Sequence, residues 1–257
     1  MELYPLESSF IQPGDPLSLR LQEAFAKSKV RPRNGDIIAV ASKVVATSEG
    51  RVRQLSRVKP TRQAVRLGRK YSLPPEFVQL VLDEADEVYG GVQGALLTLK
   101  DGQATANAGV DRKNAPPNSA VLWPLDPKAS AIRLLGAVKR RTGLDLGVVI
   151  VDSRVAPLRL GTIGLSLASV GFMPVKDFRG KPDLYGRKAS ITFQALGDGI
   201  AAAAQLLMGE TREAVPFVLV RGAPVEFAGR GSRTEKMGLK DCLYMAQILR
   251  ETRRTRD

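Results

Sequence analysis

Three acidic residues stand where turns of the chain would present them to a ligand. Asp111 follows the small-residue stretch 106–110, Asp152 ends the apolar run 146–151, and Glu210 follows Met208-Gly209. A carboxylate next to a buried strand is poorly solvated, so it needs a cation, a helix N-terminus or hydrogen bonds. Taken singly, each acid is better explained as the cap of a turn or helix. Taken together, they make a shared metal ion a competing explanation.

The residue types that are missing narrow the chemistry further. The sequence has no histidine and one cysteine, Cys242. This excludes histidine-based catalytic triads, a disulfide within the chain and a zinc site built from several of its thiolates. We therefore expect any metal to be bound by oxygen, which favours magnesium, manganese or calcium.

Positive charge is the main compositional feature. The formal net charge is +13 over 257 residues, and such a field attracts nucleotides, phosphorylated metabolites or nucleic acid. Much of the excess lies in 51–70 and at the end of the chain, where we interpret 251–257 as a basic tail. Aromatic residues do not interleave with these runs as a base-stacking platform would require, so the sequence argues against a nucleic-acid partner.

Alternating strand and helix patterns must position the acids. We predict a mixed α/β or α+β fold in a single domain, 1–257, within which a smaller subdomain of unknown boundary is possible. No apolar run reaches the length of a membrane span and no secretory signal is evident, so we expect a cytoplasmic protein. The predicted strands are 36–41, 95–99, 103–107, 121–125, 146–151, 191–196 and 215–220. The predicted helices are 60–70, 76–84, one running to about 141 and capped by Asp126 or Ser130, 200–208 and 235–250.

The polar loop 175–187 contains two further acids, Asp177 and Asp183. They are six residues apart and could either bind a metal or hold the loop in place through Arg179 and Arg187. We favour the second interpretation for at least one of them.

A series of motifs resembles the coenzyme F420-0:L-glutamate ligase family. The stretch from Ala106 to Asp111, with Asn114, resembles the family signature NAGVDxSN. The resemblance covers roughly residues 1–225. Its other matches, in order, are Ser42-Lys43, Glu49-Gly50-Arg51, Leu125-Asp126-Pro127, Asp152-Ser153, Lys176-Asp177, Asp183 to Arg187 and Leu206 to Glu210.

The resemblance implies a GTP-dependent ligase with an unusual α/β fold, assembled as an intertwined homodimer. It would join L-glutamate to a deazaflavin phospholactate through an acyl phosphate and then add glutamates in γ-linkage, assisted by magnesium or manganese and by potassium. Asp111 and Asp152 would be central to catalysis. The implied metal ligands are Asp111, Asp152, Ser153 and Glu210, and the implied GTP contacts are Ser42, Lys43, Asn114, Met208, Gly209 and Glu210.

The sequence departs from the family pattern around the acids. Lys113 replaces a serine of the signature, and the segments 8–11, 46–48 and 154–158 differ from the expected Gly-, Lys- and Arg-containing motifs. Two alternatives follow. The chain is a diverged paralogue that ligates a different carboxylate acceptor, or it is a protein that binds nucleotide without turnover.

Overall fold

The structure, a computed structural model, describes residues 1–228 and 236–254. These residues form seven α-helices and twelve strands, which confirms the predicted mixed α/β class. The helices are α1 (Leu17–Lys27), α2 (Ser42–Ser48), α3 (Arg62–Tyr71), α4 (Pro75–Glu84), α5 (Pro127–Thr142), α6 (Leu196–Met208) and α7 (Leu243–Arg254). The strands are β1 (Glu2–Leu6), β2 (Ile37–Ala41), β3 (Val52–Gln54), β4 (Glu87–Val92), β5 (Ala95–Lys100), β6 (Gln103–Ala106), β7 (Ser119–Val121), β8 (Gly147–Val155), β9 (Thr162–Val170), β10 (Val175–Asp177), β11 (Phe193–Ala195) and β12 (Phe217–Arg221).

Several element boundaries differ from those predicted. The core strand does not end at Asp152 but continues to Val155, because the partner strand β9 continues the ladder beyond that residue. The strand predicted at 121–125 was misplaced, since β7 ends at Val121. The last helix begins at Leu243 rather than at Glu235, and Glu235 lies outside the described residues.

Contacts between Cα atoms divide the chain into two compact units. The first comprises Met1–Glu49, Pro124–Ala156 and Leu160–Glu235. The second comprises Gly50–Trp123, Pro157–Arg159 and Lys236–Asp257.

The first unit is built on a five-stranded sheet with the order β1-β12-β2-β8-β9. Its strands pair antiparallel except for β2 and β8, which are parallel. Helix α6 covers one face, where Ile200, Ala201 and Ala204 are buried against the strands. Gly164 allows this close packing, because a Cβ atom there would lie 2.3 Å from the carbonyl oxygen of Ala201.

The second unit contains the helix pair α3–α4 and two small sheets, β4-β5-β6 and β3-β7. Its core combines Phe77 and Val81 of α4 with Leu96 of β5 and Leu122. Thr61 caps α3 by accepting a hydrogen bond from the backbone N–H of Ala64, as the Ser/Thr preference at helix starts predicts.

In the described part of the chain, no helix is both long and apolar enough to cross a bilayer.

Candidate active site

Asp152 lies on β8, one residue beyond the point at which the neighbouring strand β2 ends. Ala41 of β2 pairs with Val151, so the next residue of each chain segment, Ser42 and Asp152, face each other across the sheet. Ser42, which is 3% exposed, donates a hydrogen bond of 2.7 Å from its hydroxyl to Asp152 Oδ1. This hydrogen bond orients the Asp152 carboxylate within the five-stranded sheet.

A β-bulge precedes Asp152 on the other side. The register of β8 with β9 shifts between Ile150 and Val151, so that Leu167 is inserted as an extra residue on β9. Bulges bend a strand and re-aim the side chains that follow. The bulge therefore changes which β9 side chains lie on the same face of the sheet as Asp152, and neither the bulge nor its position was predicted from the sequence.

Glu210 is held where α6 ends. Gly209 takes a left-handed φ of +70°, and Glu210 Oε1 accepts hydrogen bonds from Gln205 Nε2 (2.6 Å) and Thr162 Oγ1 (3.0 Å). Asp152 pairs with Leu165 of β9, three residues from Thr162, so the site of Glu210 lies about 10 Å farther along that strand. Asp152 on β8 and Glu210, through its hydrogen bond with Thr162 of β9, thus lie at different positions along the same strand pair.

Asp111, in the second unit, follows a turn of unusual backbone geometry. Three consecutive residues, Asn107, Ala108 and Gly109, have positive φ angles of 53°, 51° and 73°. Non-glycine residues rarely adopt this region, and runs of them persist only when the surroundings enforce them. Asp111 itself exchanges two backbone hydrogen bonds with Val121, of 2.9 and 2.8 Å, which extends the β3-β7 ladder by one bridge.

Two side chains hold this turn, Asn107 of the signature stretch and Thr98, which was not singled out from the sequence. The Thr98 hydroxyl, fully buried, donates to the Thr105 carbonyl and accepts from the Ala108 N–H, each at 2.8 Å. Asn107 Oδ1 accepts from the Leu96 N–H at 2.8 Å. Threonine is common in strands, so nothing in the sequence marked Thr98 as different.

Trp123 restricts the same turn by packing. A Cβ atom on Gly109 would lie 2.1 Å from Trp123 Nε1, inside any possible contact distance. Gly109 is therefore required both by its φ angle and by the proximity of the indole ring. Beyond the turn, Asp111 Oδ1 accepts from the Lys113 N–H at 2.8 Å, and Asn114 also has a left-handed φ, of 56°.

A partly buried ion cluster supports the second unit near this turn. Glu84, the last residue of α4, accepts from Arg51 Nη2 through both carboxylate oxygens and from Lys100 Nζ at 2.8 Å. Burial raises the pKa of Glu84, but hydrogen bonds and charge from Lys100 and Arg51 more than offset it, so the net pKa lies below its ordinary value. Arg51 Nε also donates to the carbonyl of Trp123, which ties the cluster to the indole that faces Gly109.

The loop acids have structural roles. Asp177 forms an ion pair with Arg179 at 2.7 Å, and Asp183 Oδ1 accepts from the backbone N–H groups of Tyr185 and Arg187. Both acids therefore hold the loop, as we favoured for at least one of them, although Asp183 does so through backbone donors. Asp126 caps α5 by accepting from the Ala129 N–H, which settles the choice between Asp126 and Ser130.

Among Lys43, Ser153 and Met208, only Met208 lies on the element predicted for it, because α2 was not predicted and β8 was expected to end at Asp152. Lys43 is in the first turn of α2, Ser153 pairs with Gly164 next to Asp152, and Met208 ends α6. No three acidic or cysteine side chains of residues 1–228 and 236–254 converge as metal ligands would. The assignment of Asp111, Asp152, Ser153 and Glu210 to a metal therefore stays a prediction.

Comparison with known proteins defines the class. The sequence profile of the family described as F420-0:Gamma-glutamyl ligase matches residues 5–222, which is most of the chain and includes all of the candidate site residues. The chain belongs to this ligase family.

Individual relatives match over most of the length of both chains. The coenzyme F420:L-glutamate ligase of Archaeoglobus fulgidus is 38% identical over 91% of this chain and 92% of its own length. The protein of the same name from Methanopyrus kandleri is 37% identical over 88% of each chain. That of Haloarcula marismortui is 31% identical over 100% of each.

Proposed function

We propose that this protein is a GTP-dependent ligase that joins the amine of L-glutamate to the terminal carboxylate of coenzyme F420-0, a deazaflavin phospholactate, and then adds further glutamates in γ-linkage. The observation that carries the proposal is the family match across residues 5–222, which includes every residue assigned to the site. The cytoplasmic location stays a prediction.

The proposed reaction has two steps. A carboxylate oxygen of the acceptor attacks the γ-phosphorus of GTP, the bond to the bridging oxygen breaks, and GDP leaves. The glutamate amine then attacks the acyl carbon of the resulting acyl phosphate, inorganic phosphate leaves, the nitrogen loses a proton and an amide forms. Such chemistry depends on positioning and charge neutralisation more than on a side-chain nucleophile, so a chain without histidine can perform it.

The donor chemistry of the site fits a hard cation. Carboxylate and hydroxyl oxygens are the ligands that magnesium and manganese prefer, and Asp111, Asp152, Glu210 and Ser153 would supply them. A bound divalent ion would neutralise charge on the phosphoryl oxygens, and potassium would assist. Ser42 has a positioning role in this proposal, because its hydroxyl orients the Asp152 carboxylate.

The nucleotide contacts follow from the family resemblance. Ser42, Lys43, Asn114 and the segment from Met208 to Glu210 are the proposed GTP contacts. We also propose a homodimer, as the family resemblance implies. Light scattering of the purified protein, giving twice the mass of one 27.8 kDa chain, would support it.

A changed acceptor is the alternative that a specific observation favours. In the departing segment 154–158 and just beyond it, Leu158 and Leu160 are fully exposed at the turn between β8 and β9. Apolar side chains here replace the Gly-Arg pair expected from the family pattern. They would suit an acceptor less anionic than a phospholactate, with the same phosphoryl-transfer step.

The test incubates the purified protein with GTP, manganese, potassium, L-glutamate and coenzyme F420-0, and measures GDP and glutamylated product. Formation of both supports the proposal. GDP formed only when another carboxylate acceptor is supplied favours the alternative. Nucleotide binding without GDP formation on any acceptor would indicate a non-catalytic binding protein and would contradict both.

A further inference from the structure

A basic cleft lies in the second unit, beside the ladder that carries Asp111. It has a volume of about 580 Å³, within the size range of small-molecule sites. It is lined by Val52, Arg53, Gln54, Arg57, Val58, Pro116 and Ser119.

The two arginines of this cleft are not neutralised by a carboxylate of the described residues. Neither Arg53 nor Arg57 forms an ion pair with any carboxylate in the part of the chain that the structure describes. Arg53 Nη1 donates to the carbonyls of Gly50 and Val52, at 3.0 and 3.1 Å, which holds the guanidinium against the strand while its other N–H groups stay available. A guanidinium matches the geometry of carboxylate and phosphate oxygens, so the cleft favours an anion.

The polar floor of the cleft is oriented to donate as well. The Ser119 hydroxyl donates to Gln54 Oε1 at 2.8 Å, so the amide N–H groups of Gln54 are the part of that side chain left to meet a ligand. Val52, Val58 and Pro116 supply apolar surface around these donors. A few fixed polar groups on an apolar lining are typical of small-molecule sites.

The cleft is close to Asp111 within the same unit. Asp111 bridges Val121 of β7, and Val121 pairs with Val52 of β3. Two strand spacings separate Asp111 from Val52, which is about 10 Å. The loop that joins Asp111 to Ser119 also contains Pro116, so one ligand could reach both the acid and the cleft.

The surrounding charge extends the cleft's field. Residues 51–70 contain eight lysines and arginines and no acid. Lys59, next in the chain to Val58, and Arg62, Arg66 and Arg69 of α3 are all exposed. Such a concentration of positive charge attracts anionic ligands.

We propose that this cleft binds the anionic groups of a substrate or product of the ligase, so that Arg53, Arg57 and Gln54 grip carboxylate or phosphate oxygens while the reacting end lies near Asp111. The proposal rests on the proposed function for the identity of the ligand. Two sources share the required chemistry: the row of carboxylates that accumulates as γ-linked glutamates are added, and the phosphates of the nucleotide.

The test compares the double variant Arg53→Gln/Arg57→Gln with the matched variant Arg66→Gln/Arg69→Gln, which removes the same charge from the same basic segment outside the cleft. Calorimetric titration of each purified protein with tri-γ-glutamate and with inorganic tripolyphosphate needs no turnover. Its outcome is therefore independent of whether the ligase reaction is observed. We expect the cleft variant to bind one of the two probes about tenfold or more weakly than wild type, and the matched variant to change by less than about twofold.

The outcomes separate the sources. Weaker binding of tri-γ-glutamate alone assigns the cleft to the glutamyl chain, and weaker binding of tripolyphosphate alone assigns it to the nucleotide. Equal losses in the two variants would show a general field effect and overturn the proposal, as would unchanged binding of both probes. Where turnover is measurable, the cleft variant should raise the KM for the matching substrate with kcat within about twofold, because the cleft contacts groups that do not react.

Discussion

Asp152 and Asp111 are the two central acids of the proposed site, and they are positioned in different ways. Asp152 lies on the regular strand β8, in the five-stranded sheet, and its carboxylate is oriented by Ser42 from the neighbouring strand end. Asp111 follows three residues with positive φ, and the turn is held by Thr98, Asn107 and the indole of Trp123.

The difference concerns how each geometry is stabilised. A strand inside a sheet owes its position to many backbone hydrogen bonds and buried neighbours, so one side-chain change alters it little. A left-handed turn is strained, and a few specific contacts keep it in place. We therefore expect function to depend on both acids, but stability to depend on single residues mainly around Asp111.

The largest effects should come from the acids themselves. Asp111→Asn and Asp152→Asn each replace a charged oxygen donor by a neutral amide of the same size. We expect each to lower kcat/KM by about a hundredfold or more and to abolish metal-dependent nucleotide binding, because several kcal/mol of charge neutralisation is lost. Steady-state kinetics and calorimetry with GTP and manganese measure this.

Asp145→Asn is the control for those variants, since Asp145 is an exposed acid that pairs with Lys139. It should change kcat/KM by less than about twofold, in keeping with the small value of exposed pairs. If Asp111→Asn binds nucleotide with unchanged affinity, Asp111 does not belong to the active site.

Gly109→Ala should be the most destabilising change near Asp111. The left-handed φ of +73° adds strain for alanine, and the new methyl group would overlap the buried Trp123. Strain and overpacking together predict a loss of about 2–4 kcal/mol in the free energy of unfolding. Urea denaturation followed by tryptophan fluorescence measures it, since Trp123 is the sole tryptophan.

Gly143→Ala separates the two causes. Gly143 has a nearly equal φ of +70°, but nothing lies within 4 Å of the position of its added Cβ atom. Backbone strain alone should therefore lower the free energy of unfolding of this variant, by roughly 1 kcal/mol. Equal losses in the two variants would show that Trp123 does not restrict the turn.

The two regions also differ in how well the sequence predicted them. The strands around Asp152 carry dense Val and Ile, so 36–41 and 146–151 were placed within a few residues of β2 and β8. The extension of β8 past Asp152 was missed because Asp152, Ser153 and Arg154 are polar, and because the strand that pairs with them, β9, was not predicted from its Gly- and Ser-rich sequence.

The stretch before Asp111 was identified by its match to a family signature, and its turn geometry was not predicted from physical properties of its residues. Its residues matched a family signature, but their left-handed angles depend on Thr98 and Trp123, which lie 10 and 14 residues from Ala108 and Gly109. Local propensity cannot encode a hydrogen bond from a neighbouring strand or the position of a ring. The same limit applies to the Glu84 cluster, whose members come from separate elements.

Thr98→Val tests the hydrogen bond that holds the turn. Valine has nearly the shape of threonine but leaves the buried Ala108 N–H without its acceptor, which should cost about 1–3 kcal/mol of stability. Displacement of the turn should also lower kcat/KM. Thr98→Ser keeps the hydroxyl and should recover most of the kcat/KM, even though it removes a buried methyl group and is itself less stable than wild type. If serine fails to restore activity, the methyl packing rather than the hydrogen bond positions Asp111.

The smallest effect is a pH dependence of the framework behind this turn. In Glu84 the pKa is lowered in the folded protein, so its stabilising contribution is fully present above the ordinary value of 4.5 and is lost as the pH falls through the folded pKa. Glu84→Gln cannot titrate and should be less stable than wild type at pH 7 by about 1 kcal/mol, a gap that narrows as the pH falls below about 4.5. Urea denaturation between pH 7 and pH 3 measures the gap, with Asp83→Asn as the neighbouring control on α4. A gap that widened on acidification would mean that the charges of Arg51 and Lys100 do not stabilise the Glu84 carboxylate.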